Sequence, residues 1–252
     1  MTITSLILVC LLPFFTVIWP TRLIDYLHIS VAGLLIHCVY LAGVFYAIFY
    51  GLPASVSAII IGLQPLVTVI IARYWLGESM GMAKIIGLII GFTGIVLVIG
   101  HQGISTGGIN KLGILFSLIS LISISIGTTY QKKLCTGNDL LPTVVVQFIA
   151  NAIILILLAF TFETRIVIWD QSFILALGWL VLVLSVGTSI LLLWLIKHGE
   201  AGKVGSLFYL VPPFVAVEAW LLFDETFGAP AILGIAACVV GVAMVIKSPK
   251  SS

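Results

Sequence analysis

Charge is the scarcest property of this sequence. Lysine, arginine, aspartate and glutamate together make up 8% of its 252 residues, whereas hydrophobic residues make up 62%. Soluble domains carry roughly a quarter charged residues, and no soluble fold hides this much apolar surface. Most of the chain is therefore expected to lie in lipid. The net charge is only +2, with no basic stripe or run, so the chain has no electrostatic footprint for nucleic acid. Cysteine is sparse as well. Cys10, Cys38, Cys135 and Cys238 are scattered in or beside apolar runs without CxxC or metal-ligand spacing, which favours small buried hydrophobes over redox or metal chemistry. The four histidines, His28, His37, His101 and His198, do not cluster, and no HExxH, GxSxG or Walker pattern occurs. A membrane enzyme, a metal site and a bound cofactor thus lack the residues that would carry them, and no cofactor is expected. A basic leader is missing too. Met1–Pro20 ends in Ile18-Trp19-Pro20 rather than a small-residue cleavage site, and it reads as a membrane helix.

What is present is a series of apolar stretches near the roughly 20 residues that span a bilayer. Nine are expected to be helices: 3–19, 28–50, 54–75, 84–100, 112–130, 141–160, 173–196, 202–223 and 230–246. The gaps between them carry turn signals such as Gly51-Leu52-Pro53 and Gly107-Gly108-Ile109-Asn110, and none has room for a soluble domain. The expected fold is an all-α integral membrane protein. Lysine and arginine set its orientation. Arg22, Arg73, Lys84, Lys132, Lys133, Lys197, Lys203, Lys247 and Lys250 fall on one side, against Lys111 and Arg165 on the other. That bias predicts a multi-pass protein with a cytoplasmic C-terminus and, with nine spans, Met1 outside.

The chain also repeats itself. A shift of 147 residues takes Pro65 to Pro212, Ala54 to Ala201, Glu78 to Glu225, Gly87 to Gly234 and Gly94 to Gly241. Each copy holds a helix with a central proline, a tight loop with a glutamate, and a glycine-notched helix. With nine spans the copies cross the membrane in opposite directions, the inverted repeat of secondary transporters. Residues 1–100 form the first repeat and 111–247 the second. The same shift places the partner of the helix at 112–130 before Met1. The first repeat is therefore expected to lack its opening helix, as in a shortened chain or one with a misplaced start.

These residues resemble a known family. Gln64-Pro65 with Gly77-Glu78, Gly87, Gly91 and Gly94 is similar to the end of one EamA domain. Leu207-Phe208-Tyr209-Leu210-Val211-Pro212-Pro213, followed by Asp224-Glu225, Gly234 and Gly241, is similar to the end of another. Gly127-Thr128-Thr129-Tyr130-Gln131-Lys132-Lys133 resembles the end of that domain's first helix. The resemblance is to the EamA family of the drug/metabolite transporter superfamily. It implies a ten-helix inner-membrane carrier that exports amino acids or other small metabolites. A small-molecule substrate and the lipid bilayer are the implied partners. The absent first helix departs from the family pattern, and the alternative is a non-transporting subunit or an inactive remnant.

A carrier needs polar groups inside the membrane, facing inward because lipid makes them costly. Gly113, Ser117, Ser120, Ser123 or Ile124, Gly127 and Gln131 share one helical face, either as a hydrated wall or as tight small-residue packing. Gly33, His37, Tyr40, Val44 and Ala47 share another, where His37 and Tyr40 can meet a substrate or a neighbouring helix. Ser57, Gln64 and Thr68, and the pair Gln147 and Asn151, offer donors and acceptors to a zwitterion or to adjacent helices. Pro65 frees a carbonyl beside Gln64. Tyr209 stands before the Pro212-Pro213 kink. Glu218, flanked by apolar residues, is the candidate for proton coupling, or else a carboxylate at the outer interface. Glu78 and Glu225 favour the positive ends of the helices that follow them and read as structural. The glycines behind them suit close helix packing or a homodimer contact. Trp75, Trp179, Trp194 and Trp220 suit the membrane interface.

Overall fold

The computed structural model describes residues 1–14, 17–77, 81–105, 110–135, 137–162, 167, 169–188, 221 and 228–247. Every regular element among them is helical. α1 is Thr2–Leu11, ending in a 3₁₀ turn at Leu12–Phe14. α2 (Leu23–Gly33), a π-helical turn (Leu34–Val39) and α3 (Tyr40–Phe49) form one rod. α4 is Ala54–Ile61 and α5 is Gln64–Leu76. α6 is Met82–Ser105, α7 is Lys111–Leu134 and α8 is Leu140–Phe162. α9 (Gln171–Gly178) continues into a π-helical stretch, Trp179–Gly187, and α10 is Ala229–Lys247. Four of these rods are long and apolar enough to cross a membrane: Leu23–Phe49, Ala54–Leu76, Lys111–Leu134 and Leu140–Thr161.

Several boundaries differ from those expected, each for a local reason. The described part of the first helix ends at Phe14, and residues 17–21 are irregular, so the helix does not reach Trp19. Pro13 cannot donate to the Val9 carbonyl, which accepts the Leu12 N–H instead. The second rod begins at Leu23, five residues before His28, with Arg22 extended and Asp25 in the positive first turn. The span at 54–75 is two helices, broken at Gly62-Leu63. Pro65 lies in the first turn of α5, where its missing N–H costs nothing, so it opens a helix and does not kink one. α5 ends on Gly77 at φ +70°, a left-handed cap that favours glycine. α9 starts at Gln171 because Asp170 caps it, accepting the Phe173 N–H at 2.7 Å. The span expected at 202–223 falls outside the described residues apart from Leu221.

The chain forms two compact units, each drawing on both halves of the sequence. Unit 1 comprises Met1–Cys38 and Tyr130–Ala201; unit 2 comprises Val39–Thr129 and Gly202–Ser252. In unit 1, α1 packs on α8 through Leu8, Leu141, Val145 and Phe148, while α2 packs on α8 through Ile29 and Ala32 with Val146. The Ile18 N–H donates to Asp139 Oδ2 at 2.7 Å, so the end of the α1 segment lies at the start of α8 and the two run antiparallel.

In unit 2, α6 and α10 cross at backbone contact. A Cβ on Gly94 would stand 2.5 Å from the Gly234 carbonyl oxygen, and one on Gly234 would stand 2.6 Å from that of Gly94. A Cβ on Gly241 would stand 2.5 Å from the Gly87 carbonyl oxygen. The Cys238 thiol approaches the Gly91 carbonyl at 3.6 Å. Rising numbers on α6 meet falling numbers on α10, so these helices are antiparallel. The 147-residue shift exchanges the Gly94–Gly234 contact with the Gly87–Gly241 contact and maps the Gly91–Cys238 pair onto itself. That is the contact pattern of a local twofold axis through Gly91 and Cys238. The glycines proposed for either close packing or a dimer contact thus meet each other within one chain. Val56, Ile59, Ile60, Leu63, Leu66, Leu88, Ile95, Val98, Ile235 and Val242 complete this core.

Candidate functional site

Unit 1 gathers four of the expected polar residues. Gly33, in the last turn of α2, allows α8 to come so close that a Cβ there would lie 2.7 Å from Gln147 Cβ and 2.9 Å from its Cα. His37, four residues on and within the π-helical turn that follows, also faces α8. The His37 ring lies 4.8 Å from that of Phe148, and the Gln147 side chain is within hydrogen-bonding reach of the imidazole. Gln147 Nε2 donates to Gln131 Oε1 at 3.3 Å, joining α8 to the last turn of α7.

Asn151 lies one turn further along α8. It is 0% exposed and is the twelfth of the 23 residues of that helix, about 16 Å along it. Its Nδ2 donates to the Gln147 carbonyl at 2.7 Å, a bond within its own helix, so it does not tie α8 to a neighbour. That carbonyl only accepts, which fixes the amide orientation and turns Oδ1 away. Asn151 Oδ1 is buried without a hydrogen-bond partner among the described residues. An orphan of this kind costs about 1–3 kcal/mol. The same is true of Thr4 Oγ1 on α1, also 0% exposed.

The polar residues of unit 2 are largely engaged with protein. The buried face of α7 includes Gly113, Ser117, Ser120, Ser123 and Gly127, as the spacing predicted. Ser117 Oγ and Ser57 Oγ are 3.0 Å apart. Ser120 Oγ donates to the Tyr40 carbonyl at 2.9 Å, and Gly43 leaves room for it. Tyr40 thereby contributes backbone to this contact, while His37 belongs to unit 1. Gln64 and Thr68 are half-buried on α5, and Thr68 Oγ1 lacks a partner among the described residues. An open apolar cleft of about 540 Å³ is lined by Ile70, Leu88, Ile89, Phe92, Thr93 and Val96. Its one hydroxyl, on Thr93, donates back to Ile89, so the cleft suits acyl chains and not a polar solute. Glu78, Tyr209, Pro212, Glu218 and Glu225 lie outside the described residues.

Two contacts in unit 1 went unforeseen. His28 Nδ1 and the Tyr130 hydroxyl are 2.8 Å apart, joining α2 to α7. Cys135, just past α7, is buried against Ile29 and Ala32, and burial together with the Asp25 charge pushes its thiol pKa up. Tyr130 stood in a motif already noted for its resemblance, but no spacing rule links it to His28.

Comparison with known proteins decides what kind of molecule carries these groups. The chain matches the model of the EamA-like transporter family over residues 1–100 and 111–247. It belongs to that family. The uncharacterized transporter YvbV of Bacillus subtilis (strain 168) is 32% identical over 223 residues, 81% of this chain and 69% of the relative. The "Probable amino-acid metabolite efflux pump" of Escherichia coli (strain K12) is 27% identical over 222 residues, 83% of this chain and 73% of the pump. The uncharacterized protein MJ1333.1 of Methanocaldococcus jannaschii is 30% identical over 129 residues, 51% of this chain but 92% of that protein. This EamA protein is thus a multi-pass membrane transporter of the drug/metabolite type, moving a small molecule across the bilayer.

Proposed function

We propose that this EamA protein is a secondary carrier that exports a small neutral or zwitterionic metabolite, an amino acid or a related compound, by alternating access. The observation that carries this reading is the polar group of unit 1. His37, Gln131, Gln147 and Asn151 converge among apolar helices, and none of the four is a lysine, an arginine or a carboxylate. A phosphorylated cargo would call for a fixed cation there. The amino-acid metabolite pump among the relatives supports the same class of cargo. Two inverted repeats rocking about a central site would supply the access change. The antiparallel crossing of α6 and α10 supports that arrangement, as does a relative nearly all of whose length matches half of this chain. Nine spans, a cytoplasmic C-terminus and an inner-membrane location belong to this reading, and a homodimer would use a face other than the glycine seam. Glu218 is its proton-coupling group.

The test is counterflow. Purified protein in liposomes preloaded with unlabelled amino acids is expected to accumulate the labelled counterpart. Glu218→Gln is expected to abolish flux driven by a pH gradient and to spare exchange. Absence of flux across a full panel of neutral metabolites, with protein shown to be folded, counts against the carrier.

A further inference from the structure

Lipid offers no hydrogen bonds, so a polar atom deep in a membrane helix finds its partner in protein, in water or in cargo. Most polar atoms of unit 1 have protein partners. Among the described residues Asn151 Oδ1 and Thr4 Oγ1 have none, although both residues are completely buried. Counting turns along the antiparallel pair α1 and α8 puts the residues Thr4 and Asn151 at similar heights. Ile18 marks the start of α8, Leu8 packs with Leu141, Val145 and Phe148, and Thr4, one turn before Leu8, falls level with the turn of α8 from Phe148 to Asn151. One open atom is an amide oxygen, which only accepts, and the other is a hydroxyl oxygen able to accept. Two acceptors facing one group are satisfied together by a nitrogen carrying at least two N–H bonds. An alcohol has a single O–H and satisfies only one of them.

We propose that Asn151 and Thr4 form a subsite that holds the amino or primary amide nitrogen of the transported metabolite, with Asn151 Oδ1 and Thr4 Oγ1 accepting its N–H groups. The proposal rests on the carrier reading and sharpens it, because it selects amino compounds over the corresponding hydroxy acids. Gln147 is a positioning residue here: its carbonyl holds Nδ2 and thereby aims Oδ1.

The experiment compares L-alanine with L-lactate, and L-leucine with L-2-hydroxyisocaproate, pairs that differ in bearing nitrogen or oxygen at the same carbon. Thermal stabilisation of the purified full chain in detergent and counterflow in liposomes are both read. The wild type is expected to prefer the amino member by about tenfold or more, the worth of one good hydrogen bond. Asn151→Leu removes the orphaned oxygen, so it is expected to unfold no lower than wild type and to lose the preference. Thr4→Val, of the same shape, is expected to weaken the preference in the same direction, and it serves if Asn151→Leu does not fold. Preference retained in both variants overturns the subsite and leaves the carrier standing. Lower stability in both with unchanged transport assigns the two atoms to a buried water and also overturns it. A wild type that neither binds nor carries any of the four probes overturns both the subsite and the amino-compound carrier.

Discussion

The crossing of α6 and α10 makes a quantitative claim about alanine. Gly94→Ala places a methyl 2.5 Å from the Gly234 carbonyl oxygen, whereas ordinary van der Waals contact begins at 3.4 Å. The obstacle is backbone, so no side chain can turn aside, and the helices must part by about 0.9 Å. A gap of that order forfeits roughly a quarter to a half of the dispersion energy of each contact along the seam. The expected cost is about 2–3 kcal/mol, the upper range for overpacking. Gly234→Ala clashes with the Gly94 carbonyl at the same point and should cost about the same. The double variant is the sharper test. Once one methyl has parted the helices, the second meets open space, so the pair should cost less than the sum by about 1–2 kcal/mol. Gly178→Ala is the control: nothing stands within 4 Å of its added methyl, and helix propensity favours alanine there by up to about 1 kcal/mol. Unfolding in mixed micelles by SDS titration, followed by tryptophan fluorescence, measures all four proteins. Gly94→Ala as stable as the control, or strict additivity in the double variant, refutes the seam.

Three further outcomes are expected. Gly33→Ala drives a methyl into the Gln147 backbone, so it should cost about 1–3 kcal/mol in the same titration and reduce counterflow; unchanged transport would detach Gln147 from the site. Ser57→Ala and Ser117→Ala should be coupled by about 0.6 kcal/mol in a double-mutant cycle, the usual worth of a hydrogen bond between membrane helices, and zero coupling would show that the two hydroxyls do not bond. Burial and then the Asp25 charge hold the Cys135 thiol above its ordinary value, so less thiolate is present at any given pH than for a free thiol. Asp25→Asn removes the second cause, which should lower the pH midpoint of alkylation and speed the reaction at neutral pH; an unmoved midpoint would remove Asp25 from the account.

What the sequence made legible depends on whether a feature is periodic. The buried face of α7 follows from residues recurring three and four apart, and the structure buries Gly113, Ser117, Ser120 and Gly127 as that period requires. The 147-residue shift picked out Gly87, Gly94, Gly234 and Gly241 without showing that they touch, because a repeat fixes correspondence and not contact. The stripe Gly33, His37, Tyr40, Val44 and Ala47 is buried or half-buried, while Val39, Phe45, Tyr46, Ile48 and Phe49 beside them are exposed, but its neighbours change along its length. A π-helical turn at Leu34–Val39 lies within it, and nothing in Leu34-Leu35-Ile36-His37-Cys38-Val39 announces an i→i+5 bond. Pro65 reads as freeing a carbonyl beside Gln64, and the helix breaks there, at Gly62-Leu63, with Pro65 in the first turn of the helix that follows; the proline alone does not show that the run divides into two helices. Thr4 was invisible because one hydroxyl in an apolar helix carries no pattern. Only its full burial, with no partner for its oxygen, gives it meaning.

The polar residues themselves are better sorted by their partners than by their positions. Ser117 and Ser120 reach other helices, so their hydroxyls help hold unit 2 together, and their polarity is explained by packing. Ser125 and Thr129 donate to carbonyls four residues back and need no partner beyond their own helix. Gln147 and Gln131 satisfy each other across two helices. Asn151 differs from all of these. It answers only half of its own amide, inside its own helix, at the midpoint of α8, and a leucine there would fill similar space without the orphaned oxygen. A residue kept at a cost to stability in a position where an apolar one would pack as well is explained by something that arrives to meet it. In the carrier we propose, what arrives is the cargo.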